Sequence, residues 1–147
     1  IAFMMRGNYA FSHSSYGYTT EDGTILPKTY HVRGKPVTYR YLLRKTDISC
    51  LTAVYDQNQI GKFYMPEIRR KQDFGLWLAI LKSGVNSMPL PEALAFYRQR
   101  NDSATANKSK LIIQHYIFLR TSEKLGVISS VWYTICWGFG GVIKYLL

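Results

Sequence analysis

The chain has 147 residues, a formal charge of +10, and 47% hydrophobic and 15% aromatic residues, which suits a single folded domain with a substantial core rather than a disordered segment. Cys50 and Cys136 lie far apart with no partner at metal-ligand spacing, which argues against a disulfide framework or zinc site and fits a reducing compartment. The cations fall in small groups (Arg40, Arg44 and Lys45; Arg69, Arg70 and Lys71; Arg98 and Arg100; Lys108 and Lys110), without a long basic arm or an RNA-binding signature, so phosphorylated ligands or anionic lipid are favoured over nucleic acid.

The first residue is Ile1, and no charged stretch, apolar core and cleavage site follows it; the chain reads as lacking a secretory signal and as a portion of a longer protein. Asn8 to Thr20 alternates and is rich in Tyr, Phe, Ser and Thr, which predicts a strand or strand pair before the turn Glu21-Asp22-Gly23, with a second extended piece after it. His13 and His31 are isolated and read as surface or hydrogen-bonded residues rather than metal ligands. Tyr39 to Lys45 predicts a short basic helix or turn. Ile48 to Tyr55 is β-branched and apolar enough for a buried strand, broken by Asp56-Gln57-Asn58-Gln59.

The run Arg69-Arg70-Lys71-Gln72-Asp73-Phe74-Gly75-Leu76-Trp77-Leu78-Ala79-Ile80-Leu81-Lys82-Ser83-Gly84 carries the strongest helix signal. Leu76, Trp77, Ile80 and Leu81 repeat at the spacing of a buried face, Gly84 supplies a stop, and the helix should begin near Asp73. Asp73 has two readings. It caps free backbone N–H groups, or, beside three cations on a helix N-terminus, it stays ionised and accepts a proton.

Val85 to Met88 predicts a short strand, and Pro89 and Pro91 restrict the backbone before Ala93 to Arg98 extends again. Arg98 and Arg100, at strand spacing, project to one face. They suit a diphosphate, whose oxygens accept from a planar guanidinium fork, or else a solvated polar edge. Asn107 to Lys124 predicts a helix with Ile112, Ile113, Tyr116, Ile117 and Leu119 on its apolar face and a structural His115. Val127 to Leu147 is apolar on most sides, with Trp132, Tyr133 and Trp137. Its Ser, Thr and Gly content favours an interfacial or bundle-packing helix over a true membrane span.

Gln72-Asp73-Phe74-Gly75-Leu76-Trp77-Leu78, followed by the segment from Pro91 to Ser103 with Tyr97, Arg98 and Ser103, resembles the second half of bacterial family-2 glycosyltransferases of the GT-A fold. The resemblance spans Phe3 to Ser103 and implies an α/β fold: a partial GT-A-like mixed sheet with flanking helices, residues 1–104 forming the acceptor-side half. The composition of residues 105–147 adds a C-terminal helical extension that either associates with a membrane or packs on the domain. The resemblance implies Asp73 as the catalytic base of an inverting sugar transfer, Arg98 and Arg100 as diphosphate ligands, and Trp77 as an acceptor contact. Two departures stand out: Gln72 replaces the first acid of the family's acidic pair, and Arg100 stands where many relatives carry a His.

The same resemblance implies a nucleotide-sugar donor, a saccharide or lipid-linked saccharide acceptor of a cell-surface glycan, and a divalent metal, Mg or Mn. The usual Asp-x-Asp ligands are absent from this sequence and are expected upstream, so the chain alone should be inactive. The implied location is cytoplasmic, peripheral on the inner face of the plasma membrane. The alternative reading is a non-catalytic, membrane-associated module that binds anionic lipid through its basic patches, with Asp73 only a cap.

Overall fold

The computed structural model describes residues 1–99 and 108–146. Its sheet is built on β1 (Phe11–Thr19), which is buried at every position although its sequence, FSHSSYGYT, is largely polar. Along one edge β1 pairs in parallel with β4 (Met88–Arg98), from Ser12 opposite Met88 to Thr19 opposite Arg98. The other edge is shared by β2 (Ile25–Tyr30), antiparallel to Tyr16–Thr19, and the short β3 (Val54–Tyr55), antiparallel to Phe11–Ser12. The sheet is therefore mixed, as expected.

A buried polar strand must satisfy its own side chains. Ser12 donates to the Met88 carbonyl at 3.0 Å, and Ser15 Oγ accepts from the Val32 N–H at 3.1 Å. The His13 ring Nδ1 lies 2.8 Å from Ser87 Oγ, which fits the reading of His13 as a hydrogen-bonded residue; His31 is exposed. Ser87 is itself held by a two-way backbone bridge to Val37. Burial holds the His13 imidazole down at about 4, so it is neutral at physiological pH.

The first unit, Ile1–Leu42 with Asp47–Arg100, contains the sheet. Its core is Phe11, Val37, Leu42, Ile48, Leu78 and Ile80, each at most 2% exposed. Helix α1 (Ala2–Gly7), not expected from the sequence, precedes β1 and closes on Asn8 in the left-handed conformation. Helix α2 (Tyr39–Leu42) is the expected short basic turn. Asp56 caps α3 (Gln57–Ile60) by accepting from the Asn58 N–H at 2.9 Å. Helix α4 (Gln72–Lys82) buries Phe74, Leu76, Trp77, Leu78, Ile80 and Leu81.

Two strand expectations are corrected. Only Val54–Tyr55 of the expected strand from Ile48 to Tyr55 pairs. The Ser49 carbonyl instead accepts from the N–H groups of Thr52 and Ala53, and Ser49 Oγ from that of Leu51, a local alternative to the ladder that Ser offers readily. Pro89 and Pro91 do not separate two strands but lie inside β4. The pairing tolerates them because β4 meets only β1 among the described strands, leaving an outer edge where a missing N–H costs nothing, and because the register shifts twice between Ser14 and Gly17.

The second unit, Leu43–Thr46 with Asn101–Leu147, holds α5 (Lys108–Thr121) and α6 (Val127–Leu146). His115 is fully buried and stacks on Trp137 with ring centroids 4.4 Å apart, the structural role expected of it. Trp137 Nε1 donates to Thr46 Oγ1 at 2.8 Å. The expected apolar face of α5 is corrected: Ile112, Ile113 and Ile117 are exposed, and the buried positions are His115, Phe118 and Leu119. No described helix is long and apolar enough to cross a membrane.

The buried neutral His13 should make stability depend on pH. Its unfolded value is 6.5 and its folded value about 4, so the unfolded chain binds the extra proton and stability falls as pH drops from the first value toward the second. The full loss is about 3 kcal/mol. Urea unfolding from pH 7 to 4 should show this slope, and His13→Gln should flatten it; an equal slope in the variant would show that other groups cause it.

Candidate active site

Asp73 occupies the first turn of α4, and its geometry follows from how that helix starts. Lys71, the residue before the helix, lies in the left-handed conformation at φ 63° and ψ 30° and offers no side-chain cap. A non-glycine residue there costs on the order of 1 kcal/mol, and such strain collects at functional sites. The free N–H of Phe74 is taken by Asp73 Oδ1 at 2.8 Å. Asp73 Oδ2 takes no hydrogen bond among the described residues. The carboxylate is half-buried in the first turn of the helix.

Two neighbours complete the local electrostatics. Lys71 packs its ammonium 5.4 Å over the Phe74 ring. Burial pulls that ammonium down to about 7, against the opposing pull of the Asp73 carboxylate. Cys50, on the turn where a strand was expected, has its thiol raised first by burial and then by the Asp73 charge.

Asp47 anchors the base of that turn. It is 2% exposed and accepts from the hydroxyls of Tyr30 and Tyr41, the latter at 2.7 Å. Burial and then the Asp47 bond push Tyr41 up to about 12 and Tyr30 higher still, and Arg33 lies 4.2 Å over the Tyr41 ring. Sequence reasoning missed Asp47, Cys50 and the special state of Lys71. Asp47 carries no local signal, since its tyrosine partners come from other segments, whereas a lysine directly before a helix start was a visible one.

The other expected site residues fall as follows. Trp77, one helical turn after Asp73, is corrected from a surface contact to a core residue: it is 5% exposed and packs on Phe11 at 5.5 Å between centroids. The apolar periodicity of α4 requires this, because Trp77 lies on the same buried face as Ile80 and Leu81. Arg98 is exposed at the end of β4, opposite Thr19. Arg100 lies outside the described residues, as does Ser103. A cavity of about 180 Å³ lined by Phe3, Met4, His13, Thr52, Leu90 and Leu94, among others, does not include Asp73. No group of three His, Cys, Asp or Glu that would hold a metal ion occurs among the described residues, so they do not supply the donor set of a divalent cation.

Neither a protein-family model nor a solved structure matches the chain. Curated proteins do. A Bacillus subtilis protein named for teichuronic acid biosynthesis, the glycosyltransferase TuaG, is 36% identical over 99% of this chain and 58% of its own length. A Haemophilus influenzae glycosyltransferase is 26% identical over 99% of the chain and 57% of its own length. The Escherichia coli UDP-Glc:alpha-D-GlcNAc-diphosphoundecaprenol beta-1,3-glucosyltransferase WfgD is 31% identical over 75% of the chain and 42% of its own length. The chain spans little more than half the length of the first two of these relatives, and over that span it is similar to bacterial glycosyltransferases.

Proposed function

We propose that this chain is the acceptor side of an inverting glycosyltransferase of the GT-A type, and that its parent moves a sugar from a nucleotide-sugar donor to a hydroxyl of a lipid-linked glycan. The observation that carries the reading is the half-buried Asp73 carboxylate on the α4 N-terminus, one oxygen fixed by the Phe74 N–H and the other left for a substrate hydroxyl. The names of the Escherichia coli relatives, which specify a UDP-sugar and a diphosphoundecaprenol acceptor, support the substrate classes.

In this reading Asp73 Oδ2 accepts the proton of the acceptor hydroxyl as that oxygen attacks the anomeric carbon. The new carbon–oxygen bond forms on the face opposite the departing diphosphate, whose bond to the same carbon breaks with its electron pair. A positioned base contributes about 10² to 10⁴ in rate. The Phe74 bond keeps the carboxylate in place. Arg98 presents a guanidinium that suits the diphosphate. A divalent metal would be held by residues other than those described.

The Phe74 bond also favours the reading of Asp73 as a structural cap. Asparagine keeps an acceptor oxygen for that bond but takes no proton, so one substitution separates the two roles. In the intact parent, Asp73→Asn should leave the melting temperature nearly unchanged and lower kcat by about 10² or more. Near-normal turnover would leave Asp73 a cap and nothing more.

The placement of Cys50 beside Asp73 is testable without activity. In a Cys136→Ser background, Asp73→Asn should speed alkylation of Cys50 by iodoacetamide near neutral pH, because one cause of its raised thiol is removed, while rates converge at high pH where the thiol is fully ionised. Identical rates throughout would separate the two residues.

For the parent, Arg98→Ala should weaken binding of the nucleoside diphosphate product by about tenfold, the scale of a charge-assisted bond, and leave acceptor affinity nearly unchanged. Titration calorimetry with each ligand reads this, and equal losses would make Arg98 structural.

A further inference from the structure

Helix α6 is turned inside out relative to a helix on the surface of a water-soluble domain. Its inward positions are small, polar or engaged by polar partners: Ser130 and Thr134 are buried, and Trp137 stacks on His115 and donates to Thr46. Its outward positions are apolar. Ile128 is 87% exposed, Phe139 68% and Trp132 57%, with Val131 and Ile135 also exposed. At the helical repeat these five residues fall within an arc of roughly 100°. The exposed Ile112, Ile113 and Ile117 of α5 add to the apolar surface of the same unit.

Charge identifies what covers the stripe. From Thr105 to Leu147 the sequence carries Lys108, Lys110, Arg120, Lys124 and Lys144 against Glu123 as the one acid. Arg120 and Lys124 are exposed at the turn that leads into α6, where the Arg120 guanidinium donates to the Leu125 carbonyl. An apolar stripe with a large aromatic, cations at its head, and a helix too polar overall to span are the features of a helix lying in the plane of an anionic bilayer. A protein partner would require acids to meet those cations.

We infer that the outward face of α6 is a membrane-docking surface, with Ile128, Val131, Trp132, Ile135 and Phe139 set among the acyl chains of an anionic leaflet and the cations of the α5–α6 turn on its headgroups. The purpose of this docking rests on the proposed lipid-linked acceptor, since a surface-held enzyme meets a surface-confined substrate at a higher local concentration. The docking itself needs no sugar transfer.

The test is sedimentation of the whole chain with vesicles of phosphatidylcholine, alone or mixed with phosphatidylglycerol. Binding to the mixed vesicles is expected, weakened by salt and weak on phosphatidylcholine alone. The triple substitution Ile128→Ser, Trp132→Ser and Phe139→Ser should lower partitioning by about tenfold or more with the circular dichroism spectrum retained. Should that variant fail to fold, Lys124→Glu at the α5–α6 turn decides, through a loss of about tenfold on the mixed vesicles. Unchanged binding in the folded variants, equal binding to both vesicle types, or no binding at all would overturn the inference. So would a self-association that the triple substitution abolishes while vesicles remain unbound, which would assign the stripe to a second copy. Failure here alongside a strong Asp73→Asn defect would sink the membrane surface alone, whereas vesicle binding with normal Asp73→Asn turnover would sink the base alone.

Discussion

The sheet depends on keeping a polar strand dry. β1 is enclosed on both edges and both faces, a position that parallel and mixed sheets usually fill with Val, Ile and Leu, yet it carries Ser12, His13, Ser14 and Ser15 in succession. Most of those groups are paired: Ser12 with the β4 backbone, His13 Nδ1 with Ser87, Ser14 with the Ser15 carbonyl and Ser15 with the backbone at Val32, while His13 Nε2 has no partner among the described residues. Each bond contributes modestly when made and costs more when broken, since a buried polar group left alone has lost water and gained nothing. The strand therefore specifies its neighbours more strictly than an apolar one would, and β2, β4 and the Val37–Ser87 bridge are positioned by it.

From that frame the chemistry is one helix away. Trp77 on α4 packs against Phe11 at the start of β1, so the helix axis is fixed by core contacts. The correction of Trp77 from an acceptor contact to a core residue thus changes its role rather than removing it: it holds the rod whose end presents Asp73. Lys71 adds a strained start to that rod. A rigid element bearing a half-buried carboxylate, with local strain at the joint, is the arrangement expected where orientation of one group matters.

What was legible in the sequence were the features with local causes. The apolar repeat in α4, the break in the chain at Asp56 and the alternation that marks β1 all arise within a few residues and were visible. What was not legible depended on distant partners. Ile48 to Tyr55 has strand composition, but Ser49 turns the chain before it can pair, and Asp47 finds its tyrosines on β2 and α2. In α5 the isoleucines mark an apolar face correctly as apolar; composition alone does not say whether such a face meets protein or faces outward, and here Ile112, Ile113 and Ile117 face outward. Asp73 itself stood out by position and by resemblance, while its neighbours Lys71 and Cys50 acquire their character only from burial.

The parallel pairing of β1 with β4 joins Ser12 to Met88, 76 residues apart. Closing so long a loop costs entropy before any contact repays it, so this ladder forms late and folding is slow compared with a chain of local contacts. Until then β1 has no lasting partner on that edge, and its serines and His13 stay hydrated. Their polarity is then an advantage, because a waiting strand of Val and Ile would be an open template for association between nascent chains. The composition that makes the finished strand demanding to bury makes the unfinished one safe to leave in water.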